Sequence, residues 1–89
     1  MRSYTTGRFR AAYVALPASV LRQAREAYAV FQRDPYHPSL RFKMIHPSEP
    51  IWSVRIGRHY RAVGVRDGDI IAWYWIGSHA AYDTLIRLR

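Results

Sequence analysis

The sequence predicts an α+β fold: two N-terminal helices packed on a four-stranded, mainly antiparallel sheet, followed by a short C-terminal helix. Three observations predict it. Apolar residues in the first third recur at helical spacing. Short apolar or alternating runs then follow one another, with turn residues between them. A Gly-Ser pair closes the last run and opens another helical stretch. At 89 residues the chain reads as one domain, 1–89, built on one core.

Ser3 to Thr6 reads as a short edge strand, and Thr6 can cap a first helix of about Arg8 to Leu16. Phe9, Ala12, Tyr13 and Leu16 follow the i, i+3, i+4, i+7 rule there. Pro17 breaks that helix and suits the first turn of the next. The second helix runs from about Ala18 to Arg33, where Val20, Leu21, Ala24, Ala27, Tyr28 and Phe31 form one stripe and Asp34-Pro35 ends it. So short a connection predicts an antiparallel helical hairpin. After a loop with Pro35, His37 and Pro38 comes a short strand, about Arg41 to Ile45. The loop His46 to Pro50 leads into three close strands, Ile51 to Ile56, Tyr60 to Arg66 and Ile70 to Ile76. Gly57-Arg58-His59 and Asp67-Gly68-Asp69 connect them, and Asp-Gly is a hairpin signal. Ser78 can cap a last helix from His79 to about Leu88. The helices are expected to cover one sheet face and leave the other partly open.

Composition narrows the partners. There is no cysteine; a secreted domain this small usually carries disulfides, so the absence points to the cytoplasm. Residues 1–10 are polar and basic and do not read as a signal peptide. The longest apolar run, Ile70 to Ile76, is far too short to span a bilayer, so no membrane partner is expected. Lys and Arg total 14 against 6 Asp and Glu, a formal charge of +8, which predicts attraction to polyanions. Thirteen of the fourteen cations are Arg. Arg binds phosphate bidentately and stacks on bases; a genome preferring Arg codons explains the bias equally well, but not the net charge.

On the strand from Ile51, Trp52, Val54 and Ile56 point one way and Ser53 and Arg55 the other. With a three-residue hairpin loop, Arg55 falls opposite Arg61. Like charges directly opposed are destabilising unless an anion lies between them. Lys43 on the neighbouring strand can join them, and Arg41 and Arg58 extend the same cationic surface toward RNA. Tyrosines and tryptophans interleaved with cations suit a nucleic-acid backbone with splayed bases.

His79 falls where a strand ends and a helix begins, where free N–H groups and the helix dipole favour phosphate. Its imidazole can exchange a proton near neutral pH. Tyr82, one turn on, can orient a phosphate or stack on a base; on spacing alone it reads as core. Asp83 can orient an imidazole or pair with an Arg. His46 and His59 border the patch but read first as loop histidines. With His37 they match no zinc spacing, so no metal and no cofactor are expected.

Read in order, several short motifs together resemble the RelE/ParE toxin superfamily of bacterial type II toxin–antitoxin systems. They are Phe9 with Leu16-Pro17, the helix end Asp34-Pro35, the segment His37-Pro38-Ser39-Leu40-Arg41-Phe42-Lys43, the hairpin Trp52 to Gly57 with Tyr60-Arg61-Ala62-Val63, and Ile76-Gly77-Ser78-His79 with Tyr82. The resemblance implies a toxin neutralised by a cognate antitoxin in a hetero-oligomer, the antitoxin's acidic or amphipathic tail wrapping the basic surface. The RelE-like branch cleaves mRNA on the ribosome, in the 30S A site, by 2′-OH attack without metal, and so inhibits translation. By position, the resemblance implies that Arg61 contacts the scissile phosphate and Arg55 fills a basic strand position. It makes His79 the general acid and Tyr82 the C-terminal aromatic. Ser53 and Arg55 stand where two lysines are typical, and the histidine at 79 is closer to the YafQ-like histidine users. The ParE-like branch, which inhibits DNA gyrase, and a catalytically silent, antitoxin-binding or RNA-binding member remain the alternatives.

Overall fold

The computed structural model describes residues 1–87. Its elements are β1 (Arg2–Thr5), α1 (Gly7–Val14), α2 (Ala18–Arg33), a 3-10 turn (Pro38–Leu40), β2 (Lys43–Met44), β3 (Ile51–Ile56), β4 (Tyr60–Asp67), β5 (Ile70–Ser78) and α3 (His79–Arg87). Leu88, the expected last residue of α3, lies outside the described residues.

The α+β class is as expected, but the sheet has five strands rather than four, in the order β1-β5-β4-β3-β2. The extra member is β1, which runs parallel to β5 with Arg2 beside Ile70 and Thr5 beside Trp73. Its four residues are mostly exposed. Backbone pairing therefore holds it, and no side-chain period announces that pairing. The other neighbours pair antiparallel.

The helices start and stop for local reasons. The Thr6 hydroxyl accepts from the Phe9 N–H at 3.1 Å and caps α1. That helix ends two residues before the expected Leu16: Ala15 caps it, and the Ala15 and Leu16 N–H groups turn to the carbonyls three residues back, a tightened last turn ahead of Pro17. The bounds of α2 are those expected, and Asp34, extended at φ −154° before Pro35, ends it. The strand expected from Arg41 to Ile45 shrinks to Lys43–Met44. The 3-10 turn carries Arg41 into the left-handed region at φ 45°, so the chain straightens only after it. Gly57 turns the β3–β4 hairpin at φ 57°, and a Cβ there would stand 2.3 Å from the Gln23 side chain.

Each sheet face carries an apolar cluster. Under α1 and α2 lie Phe9, Ala24, Phe31, Leu40, Phe42, Val54, Ile56, Ala62, Ile71, Trp73 and Ile76. Phe31 sits edge-on to Phe42 at 5.2 Å and to Trp73 at 5.6 Å between ring centroids. On the opposite face α3 lays Tyr82 against Ile51 and Val63, with Ile45, Tyr74, Trp75 and Leu85 around them. That face, expected to be partly open, is roofed in part by α3, and the roof lies over the residues of the cationic strands. A register shift lets this happen: Val63 pairs with Trp75 but Gly64 with Trp73. Trp73 then serves one cluster and Trp75 the other, as a bulge allows. Among the described residues no helix is long and apolar enough to cross a membrane.

Candidate functional site

The β3–β4 register places Arg55 beside Arg61 and Ser53 beside Val63, as the hairpin length predicts. Lys43 lies beside Ser53 from the other side. Two alternate register rows, Lys43–Ser53–Val63 and Arg55–Arg61, thus bring cations and a serine to one face.

Arg61 is not on an open surface. It is 6% exposed, beneath Tyr82 of α3. Its Nη2 donates to the Ser53 hydroxyl at 2.9 Å, and its guanidinium carbon lies 4.9 Å from the Tyr82 ring centroid. The Tyr82 phenol also donates to Ser53 Oγ, at 3.4 Å. The Arg61 Nε–H is buried with no partner, and among the described residues no carboxylate pairs with this cation. Burial lowers its pKa from the ordinary arginine range; Tyr82 opposes that shift, while Arg55 and Arg41 add to it. Even so the group keeps its proton at neutral pH. A buried charge without a counter-ion is costly, by several kcal/mol in general. The Tyr82 ring face returns about 0.5–2 kcal/mol of that.

Arg55 is half-buried and donates from Nε to the Gly57 carbonyl at 2.8 Å. Arg41 is exposed and close enough to be felt by Arg61. Lys43 is exposed as well. Arg58, at the hairpin tip, instead borders a groove with Arg55, Gln23, Ser39 and Leu40 on the α2 side. Thus Arg41, Lys43, Arg55 and Arg61 form one patch and Arg58 stands apart at its margin.

His79 opens α3 with its side chain 54% exposed. Its ring centroid is 6.0 Å from that of Tyr82, so Tyr82 links it to Arg61. Its Nε2 lies 3.6 Å from Asp83 Oδ1, one turn along. The helix start offers fewer free donors than the sequence implied: the His79 N–H is given to the His59 carbonyl at 2.6 Å and the Ala81 N–H to Ser78 Oγ at 3.1 Å. His59 therefore serves through its backbone, and its exposed side chain borders the α3 start. His46 accepts from the Ser48 and Glu49 N–H groups at Nδ1, 3.1 and 2.9 Å, which ties its ring to its own loop.

Two residues were passed over by the sequence reading. Ser53 is wholly buried and joins Arg61 to Tyr82. Arg66 lies 4.6 Å over the Trp52 ring and donates to the Tyr36 hydroxyl at 2.8 Å, so it closes one end of the larger cluster. For Arg66 the signal was available, since alternation along β4 puts it on the helix-covered face with Gly64. For Ser53 alternation gave the face it shares with Arg55 and Arg61, but not its contact with Tyr82, which comes from an element whose docking side the sequence leaves open. Among the described residues no cluster of three or more His, Cys, Asp or Glu has a geometry that could hold a metal ion.

A second feature lies on the other face. An apolar groove of about 430 Å³ opens between α1, α2 and the sheet, floored by Phe9, Phe31, Val54 and Trp73 and flanked by Arg10 and Arg25. Val14 and Tyr28 stand exposed at its mouth.

Solved structures with this architecture are numerous. The RelE chain family is represented by the RelB–RelE antitoxin–toxin complex from Methanococcus jannaschii, at 17% identity and a TM-score of 0.71, covering 91% of this chain and 96% of that one. YafQ from E. coli strain BL21(DE3) matches at 11% identity and TM-score 0.69, covering 92% and 98%. A YoeB/ParE toxin from Agrobacterium tumefaciens matches at 16% and 0.67, covering 89% and 99%. At these identities the likeness is one of fold. No curated protein matches the chain in sequence. The ParE-like toxin domain matches residues 18–84, well over half the chain. This chain therefore belongs to the ParE-like toxin domain family, within the RelE/ParE superfamily of toxins.

Proposed function

We propose that the protein is the toxin of a type II toxin–antitoxin system, and that it inhibits translation as a ribosome-dependent mRNA endoribonuclease. One observation carries this reading: Arg61 is a buried cation with no carboxylate and an unpartnered Nε–H, set beside Arg55 and joined through Tyr82 to an exposed histidine. Such a cluster is poised for an anion, and buried charges with specific polar partners gather at functional sites.

The chemistry these residues support is metal-independent cleavage of RNA. The 2′-oxygen attacks the adjacent phosphorus, a base takes its proton, and the bond to the 5′-oxygen breaks. Charge builds on the phosphorane oxygens, where Arg61 and Arg55 stabilise it, and a positive charge held out of water does this more strongly than one in water. His79 gives a proton to the leaving 5′-oxygen. Lys43 and Arg41, both exposed, steer the RNA backbone; Arg58 and His59 extend that track, and His46 is the weakest member of it because its Nδ1 is occupied.

The partners follow from the same reading. Ribosome-bound mRNA in the 30S A site is the substrate, in the cytoplasm. A cognate antitoxin forms a hetero-oligomer with the toxin, as the matched RelB–RelE complexes do for their own toxins. The apolar groove flanked by Arg10 and Arg25 suits an amphipathic antitoxin segment with acidic edges.

A second reading has its own support. The domain that matches in sequence is the ParE-like one, and the resemblance to the ParE-like branch would make DNA gyrase the alternative target. Inducible expression of wild type beside His79→Ala, with primer extension on a translated mRNA, separates the two. The nuclease gives cuts within translated codons that vanish in the variant. Growth arrest without cuts, preceded by a supercoiling defect, points to gyrase. Absence of arrest points to a silent, antitoxin-binding or RNA-binding member.

A further inference from the structure

Ser53 occupies a peculiar place in this cluster. It is a small hydroxyl with no exposure to solvent, on a strand between Lys43 and Val63. A hydroxyl oxygen offers two lone pairs, and both have a donor: Arg61 Nη2 at 2.9 Å and the Tyr82 phenol at 3.4 Å. Beside Ser53, the Tyr82 phenol is the other side-chain partner that Arg61 has, and among the described residues no ion pair neutralises it. Its guanidinium is therefore fixed at one edge by Ser53 and on one face by the Tyr82 ring. The N–H left over is Nε, buried and unpartnered.

We propose that Ser53 is a positioning residue for the site: it holds Arg61 and Tyr82 in one geometry while leaving the arginine's charge unneutralised. The identity of the side chain matters for this. A carboxylate at 53 would also anchor Arg61, but would cancel the field that draws an anion. An alanine would leave Nη2 and the phenol without an acceptor, and both would turn elsewhere. A serine gives direction without charge. Because Tyr82 also faces His79, the same hydroxyl sets the spacing between the cationic side of the site and the proton-transfer side.

This inference rests on the nuclease reading for its catalytic consequence, but its structural content can be tested without it. Wild type, Ser53→Ala and Ser53→Thr are compared in two measurements. The first is ¹⁵N NMR of the arginine guanidinium groups, with the Arg61 signals assigned by their loss in Arg61→Lys. Wild type should show Arg61 Nη protons that are resolved and slow to exchange; in Ser53→Ala they should broaden or merge, and in Ser53→Thr they should return. The second is ribosome-dependent mRNA cleavage at varied mRNA concentration. Ser53→Ala should lower kcat by roughly tenfold to a hundredfold, the scale set by misplacing a catalytic group. KM should change little and Ser53→Thr should restore the rate.

Unchanged Arg61 signals in Ser53→Ala would overturn the proposal whatever the cleavage result. Altered signals with an unchanged kcat would overturn the catalytic role. If wild type cleaves no mRNA at all, the nuclease reading fails by itself, and the NMR comparison still decides whether Ser53 holds Arg61. If Ser53→Thr is too large to fold, Ser53→Cys replaces it: the weaker sulfur acceptor should give signals and rates between those of wild type and Ser53→Ala.

Discussion

Arg61 sets function against stability within a single side chain. Its guanidinium is desolvated and lacks a carboxylate partner, and its pKa is lowered chiefly by burial. Replacing a buried charge with an apolar side chain of similar size is often neutral or stabilising by about 1–4 kcal/mol. Arg61→Met is therefore expected to raise the urea midpoint, with an unchanged slope, while abolishing growth arrest; a fall of the midpoint by more than about 1 kcal/mol equivalent would make Arg61 a structural residue instead. His79, by contrast, is exposed and contributes little packing. His79→Ala should shift stability by less than about 0.5 kcal/mol, measured in the same titration, and remove the arrest. The facing of Arg55 and Arg61 was legible in the sequence, because the hairpin loop length fixes the register. The burial of Arg61 was not. It depends on α3 folding back over the sheet, and nothing in the pattern of residues 79–87 states which face α3 covers.

Whole elements were legible where they carry their own punctuation. The helix α2 begins after Pro17 and stops at Asp34-Pro35, so its bounds follow from local sterics alone. Thr6 caps α1 as its sequence position implied. Thr6→Ala should cost about 1 kcal/mol, read as a lower thermal midpoint. The strand β1 was legible as a short edge strand, but its parallel pairing with β5 and the trimming of β2 were not, since a partner far along the chain and a left-handed Arg41 leave no local period. The bulge opposite Gly64 belongs with these. A Cβ on Gly64 would meet the Ala72 carbonyl oxygen and the Ile71 and Trp73 side chains, each at 2.9 Å. Gly64→Ala should destabilise by about 1–3 kcal/mol through overpacking. A chemical denaturation curve checks this, and a variant as stable as wild type would mean that the β4–β5 pair gives way freely there.

At the scale of the molecule, a charge of +8 was the plainest message of the sequence, and the fold distributes it unevenly. Arg41, Lys43, Arg55 and Arg61 gather on the face that α3 partly roofs. If three or four of them meet phosphates, the affinity for a short single-stranded RNA should fall with salt at a log–log slope of roughly −2 to −3. Fluorescence anisotropy across a KCl series measures it, and a flat response would remove the patch as an RNA track. The five-stranded order has a consequence in time. Arg2 must wait for Ile70 before β1 can join the sheet, so β1 is paired only after the strands that follow it have been made. Tyr82 and His79 come later still, on the helix that follows β5. No nascent chain short of residue 82 can hold the cluster together. Translation thus sets a clock on this protein, and every ribosome that begins to make it does so in the company of an unfinished site.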